Sequence, residues 1–156
     1  MKPYQEQYIK NAREISVLCD ISHIKAEGFG NWYKAQREAE ERIHALRQEN
    51  MDLLEANLFP LLDELHSAKP EDIAELEEFS DKLMDWVNNL DCGLYVVIHG
   101  ALLRLYRVRK DRGAIIKELY KLGMGLYYRN RVLDGIDRDR VLTYLNQNEM
   151  VFTDAG

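Results

Sequence analysis

Apolar residues recur along this chain at steps of three and four, the spacing of one face of an α-helix, and no run alternates as a half-buried strand does. Tyr8, Ile15, Leu18, Ile21 and Ile24 predict a first helix over residues 4–27. Gly28-Phe29-Gly30-Asn31 then supplies residues that stop a helix, with Asn31 placed to cap the next. The second helix is predicted over 32–66, with a break near Pro60, where a backbone donor is missing. Lys69-Pro70-Glu71-Asp72 reads as the start of a third, over 70–90: proline suits the first turn and acids suit the positive end of the dipole. Its inward stripe is Ile73, Leu76, Ser80, Leu83, Val87 and Leu90, at alternating steps of three and four. A fourth helix over 94–109 carries Leu94, Val97, Ile98, Ala101, Leu102, Leu105 and Val108, and Lys110-Asp111-Arg112-Gly113 breaks it. The fifth, over 114–133, has one seam through Ile115, Leu119 and Leu122 and another through Ile116, Tyr120, Gly123 and Tyr127. Asp137 is placed to cap a short sixth helix over 137–149.

The expected fold is therefore all-α: a single domain over residues 1–156, with about six helices paired through short connections into antiparallel hairpins or a bundle. The third, fourth and fifth helices have the most regular seams and are expected to build most of the core. Gly100, Gly123 and Gly125 each cost roughly 1 kcal/mol of helix propensity relative to alanine, which points to close approach of backbones. Leu119-x-x-Leu122-Gly123-x-x-Leu126 matches the first half of the tetratricopeptide pattern, so packing of that kind enters the expectation. The second half of the pattern does not follow, and no period of about 34 residues repeats.

Charge alters this picture. Residues 38–91 hold sixteen acids against four bases, whereas residues 92–140 hold eleven bases against five acids. The whole chain carries −6 and has a pI near 5.3, which disfavours a phosphate backbone as partner despite the basic half. No run of eighteen apolar residues occurs, so no membrane span is expected. The first residues lack a secretory apolar core, and Cys19 and Cys92 make no disulfide scaffold; a reducing cytoplasm is the expected location.

Candidate chemistry is sparse. Asp20/His23, Glu41/His44 and Asp63/His66 share a three-residue step, but a di-iron carboxylate bundle needs two Glu-x-x-His motifs and only one of these has glutamate. A metal-dependent helical-bundle enzyme is thus the alternative reading, and no metal or cofactor is assigned. No phosphate loop, nucleophile elbow or zinc helix occurs, and no catalytic residue is predicted. His99 sits among Tyr95, Val96, Leu102 and Leu103, as a core histidine bonded to a carbonyl or a tyrosine would. Its functional version puts Tyr95, His99 and Arg104 at the mouth of a groove between the fourth and fifth helices, with Tyr120, Tyr127 and Tyr128 as aromatic walls for a small anionic ligand or peptide. In the second helix Ile43, Leu46, Asn50, Leu53 and Asn57 follow an a/d pattern with asparagine at two a positions, a device that sets register in parallel dimers.

The stretch DCGLYVVIHGALLRLYRVRKDRGAIIKELYKLGMGLYYRNRVL, from Asp91 to Leu133, resembles the helical, tetratricopeptide-like region that precedes GGDEF diguanylate cyclase modules in some bacterial signalling proteins. The likeness covers about residues 70–135, and the GGDEF motif itself is absent, so no cyclase residue is carried over. It implies an input domain or a stand-alone relative. The leading expectation is a non-catalytic sensor or interaction module, acting on a protein partner or a downstream signalling domain and pairing as a homodimer. A nucleic-acid-binding helical domain is the least favoured class.

Overall fold

The computed structural model describes residues 1–23, 29–85 and 90–133, with side chains for 1–20, 33–85 and 90–125. It is helical, with no strand among the described residues: α1 (Pro3–His23), α2 (Phe29–Leu53), a π turn (Leu54–Leu58), α3 (Phe59–Asp63), a 3-10 turn (Leu65–Ser67), α4 (Pro70–Leu83), α5 (Cys92–Arg109) and α6 (Arg112–Leu133). Two compact units emerge where one domain was expected: Met1–Glu64 with Ala68–Leu90, and Leu65–Ser67 with the chain from Asp91. The predicted sixth helix lies outside the described residues, as does Val87.

In the first unit, α1 and α2 form an antiparallel hairpin and α4 packs on α1. Lys2 caps α1, its backbone N–H donating to the Gln5 side chain at 2.9 Å, half of a capping box. The Lys2 ammonium donates to Asp72 at 2.7 Å; that hydrogen bond holds the Asp72 carboxyl below its usual range and the ammonium above its own. Phe79 of α4, fully buried, takes Tyr4 and Tyr8 of α1 edge-on, with ring centroids 6.2 and 5.6 Å away. Most of the buried apolar residues among those described lie on the predicted third to fifth helices, as expected, and Tyr8, Ile9, Ile43 and Leu46 give α1 and α2 a core of their own besides.

The a/d pattern of the second helix also turns inward. Ile43, Leu46 and Asn50 are buried in the α1–α2 hairpin of their own chain instead of awaiting a second copy. Asn11 donates to the Asn50 side chain at 2.9 Å, and Asn50 donates to the Tyr8 carbonyl at 3.3 Å. A buried asparagine does set register here, but between two helices of one protomer. The pattern then slips by one residue. Leu54 and Leu58 are buried, whereas Leu53 is half-buried and Asn57 exposed, its side chain donating to the Leu53 carbonyl at 3.0 Å. Successive steps of four along an α-helix drift by about 40° each, and the wider π turn takes up that drift. Pro60 opens the short α3 just beyond, so the predicted break is a change of helix type.

Two boundaries differ from expectation. α2 begins at Phe29, which draws Asn31 into the first turn and away from the cap. α4 stops at Leu83, because Met84 leaves helical geometry; its N–H still donates to the Ser80 carbonyl at 3.1 Å, and the Asp85 N–H donates to the Lys82 carbonyl at 3.4 Å. Since Ile43 and Leu46 pack within one protomer, Ile43→Glu with Leu46→Glu should melt the α1–α2 hairpin. The expected outcome is loss of helical circular dichroism at 222 nm; a fully helical, cooperatively melting variant would contradict the packing.

Candidate functional site

α5 and α6 form the second unit's hairpin across a link of two residues. Asp91 caps α5 by accepting from the Leu94 N–H at 2.9 Å, and Lys110 ends it in the left-handed region at φ 55°. Asp111 then caps α6, accepting from the Ala114 N–H at 3.2 Å. So tight a turn fixes which residues of the two helices meet. Leu103, Leu119 and Leu122 cluster between the two helices, with Ile115 and Val96 packed against them.

Among these apolar side chains the hairpin also encloses charge-bearing groups. His99 and Glu118 are fully buried, and the imidazole Nδ1 and a Glu118 carboxyl oxygen share a hydrogen bond of 2.5 Å. The Tyr95 ring lies over the imidazole, centroids 4.3 Å apart. On its other side Tyr95 meets Gly125, where an added Cβ would fall 2.6 Å from Cδ1 and 2.8 Å from Cε1 of the ring. Gly125 thus marks the close approach expected of the interior glycines. Gly100 does not, since a Cβ there would find only the end of the Arg104 side chain at 3.9 Å.

These contacts divide the groove residues predicted from the sequence. Tyr95 and His99 belong to the interior, Arg104 and Tyr120 are exposed, and the Tyr127 side chain lies outside the described set. The interior pair closes on itself and leaves Arg104 and Tyr120 to the surface. His99 is the core histidine that its apolar neighbours suggested, but its partner is a carboxylate that the sequence reading overlooked. A signal for Glu118 existed: it is the one acid between Arg112 and Leu133, and it stands beside Leu119 on the buried seam.

The outside of the hairpin is of another character. Val97, Arg104 and Val108 recur at seven- and eleven-residue steps, which place them on one face of α5. Val108 is 79% exposed and Val97 49%. On α6 the matching stripe is Arg112, Ile116 and Tyr120, with Tyr120 71% exposed. Arg107, Arg109, Lys110 and Lys117 are also exposed, whereas the acids of the described hairpin after its cap are Asp111, committed to α6, and the buried Glu118. Among the described residues no group of three or more His, Cys, Asp or Glu is placed to hold a metal ion, and no helix is long and apolar enough to cross a membrane. Comparisons with family models, curated proteins and solved structures gave no match.

Breaking the interior pair strands a buried polar side chain without its hydrogen-bond partner. Glu118→Ala or His99→Ala should each cost about 3–5 kcal/mol in chemical denaturation, and His99→Phe with Glu118→Leu should recover most of it. Gly125→Ala should cost about 1–3 kcal/mol by forcing the Tyr95 ring aside, and Tyr95→Leu in the same chain should relieve part of that loss.

Proposed function

We propose that the chain is a non-catalytic helical interaction module whose α5–α6 hairpin docks an acidic, amphipathic helix of a partner protein or of a downstream signalling domain. One observation carries this reading: exposed aliphatic and aromatic side chains lie in helical stripes on a hairpin whose exposed charges are almost all positive. Scattered surface apolars need no explanation, but Val97 and Val108 on one face, and Ile116 and Tyr120 on another, offer anchors at the spacing of a docked helix. The surrounding arginines and lysines would steer and select a partner bearing carboxylates. Aliphatic anchors favour a protein partner over a nucleic acid, for which stacked aromatics and phosphate contacts would dominate. The interior pair gives each helix a defined place in the hairpin and is already engaged, which fits a scaffold better than an active site.

The reading can be tested with two synthetic amphipathic helices that share an apolar face, one flanked by glutamates and one by lysines, and with an oligothymidylate. The glutamate peptide should bind with a Kd of about 1–100 μM and weaken as salt rises. Val108→Ser with Tyr120→Ala, both exposed, should weaken it about tenfold or more without loss of helicity. Indifference to peptide charge would refute the proposal. So would tight oligothymidylate binding that the double variant leaves intact, or a concentration-dependent dimer that occupies the same face.

A further inference from the structure

The first unit carries a cleft that the interaction reading does not use. Glu6, Ile9, Lys10 and Arg13 follow one another at steps of three, one and three along α1, so they share one face of that helix. Lys82 of α4 stands across from them, and with Met1 they line a cleft of about 330 Å³, at the small end of ligand sites. Ile9, buried, gives it an apolar floor. Its cations are notable for where they occur. This unit holds nineteen acids against ten bases, and elsewhere in it Lys2 is paired with Asp72 and Arg42 with Glu14. Lys10, Arg13 and Lys82, by contrast, have no carboxylate within ion-pair distance among the described residues.

We propose that this cleft binds a small phosphomonoester. Lys10, Arg13 and Lys82 against Glu6 leave the lining side chains with a surplus of two positive charges, the complement of a dianion, while the Met1 α-ammonium is paired with Glu78 at 3.6 Å. The Arg13 guanidinium presents a planar fork suited to two phosphate oxygens, and the two ammonium groups act as point charges on either helix. Ile9 then receives the organic portion of the ester, which inorganic phosphate lacks. Because the cations are exposed, their attraction is screened, and binding weakens steeply with ionic strength.

The experiment is a titration of the full-length, ¹⁵N-labelled chain with phenyl phosphate at low salt, followed by amide chemical shifts, with phenol and inorganic phosphate as separate arms. Saturable shifts are expected at residues 6–13 and 82, with a Kd near or below about 1 mM. Phenol should leave these signals unmoved, and inorganic phosphate should bind more weakly than the ester. Lys10→Gln with Arg13→Gln should weaken the ester about tenfold or more, while Arg47→Gln on α2 changes nothing. All of these positions are exposed, so circular dichroism should match the parent; if the double variant loses helicity, Lys82→Gln takes its place. Shifts that rise linearly without saturation to about 10 mM, that survive loss of the cleft's cations, or that respond equally to Arg47→Gln would overturn the proposal. Equal affinity for ester and inorganic phosphate would overturn the assignment of Ile9.

Discussion

A carboxylate and an imidazole sealed between α5 and α6 set the terms for the second unit. Either group alone would be costly in that interior, so each helix is tied to the position that presents its member of the pair. Apolar contacts among Leu103, Leu119 and Leu122 tolerate small slides, whereas a 2.5 Å hydrogen bond does not. The Tyr95 ring tilted against the imidazole and the absence of a side chain at Gly125 let the helices come close enough for that bond to form. The hairpin's outer stripes inherit their positions from this interior arrangement, which is how a buried pair bears on a surface it never touches.

The first unit solves the same problem with neutral groups. Asn11 and Asn50 lock α1 against α2 through amides, and Gln5 is buried at the start of α1 with its side chain bonded to Lys2 and Tyr4. Amide networks of this kind carry no net charge and need no counter-ion, and most of the unit's acids remain outside, Glu75 with one buried carboxyl oxygen being an exception. Polar specificity inside and charge outside give two units of opposite electrostatic sign in one chain.

Much of the helical content was legible because helices declare themselves through period and punctuation. Pro70 marked a start that the structure keeps, and the helices expected from 94 and 114 begin two residues earlier, at Cys92 and Arg112. What could not be read was the identity of each stripe's partner. Ile43, Leu46 and Asn50 make the same pattern whether they face a second chain or α1, since periodicity specifies a buried face and says nothing of what buries it. The slide from Leu53 and Asn57 to Leu54 and Leu58 was hidden for a related reason: an α-helical template has no place for a turn one residue too long. Among site residues, His99 advertised itself through apolar neighbours, while Glu118 was taken for one charge among many. The cleft cations, Lys10, Arg13 and Lys82, come together only when α1 meets α4, a contact between residues some seventy positions apart that no local pattern encodes.

The π turn at Leu54–Leu58 has a further consequence. It divides a long rod into two stretches with separate phase: the part through Asn50 answers to α1, and the part that buries Leu54 and Leu58 follows its own alignment. A mismatch arising on one side is absorbed at the wide turn before it reaches the other. Insertions or deletions of a single residue, which would rotate every later side chain of an uninterrupted helix by about 100°, therefore have one place in this element where the backbone already accommodates such a change.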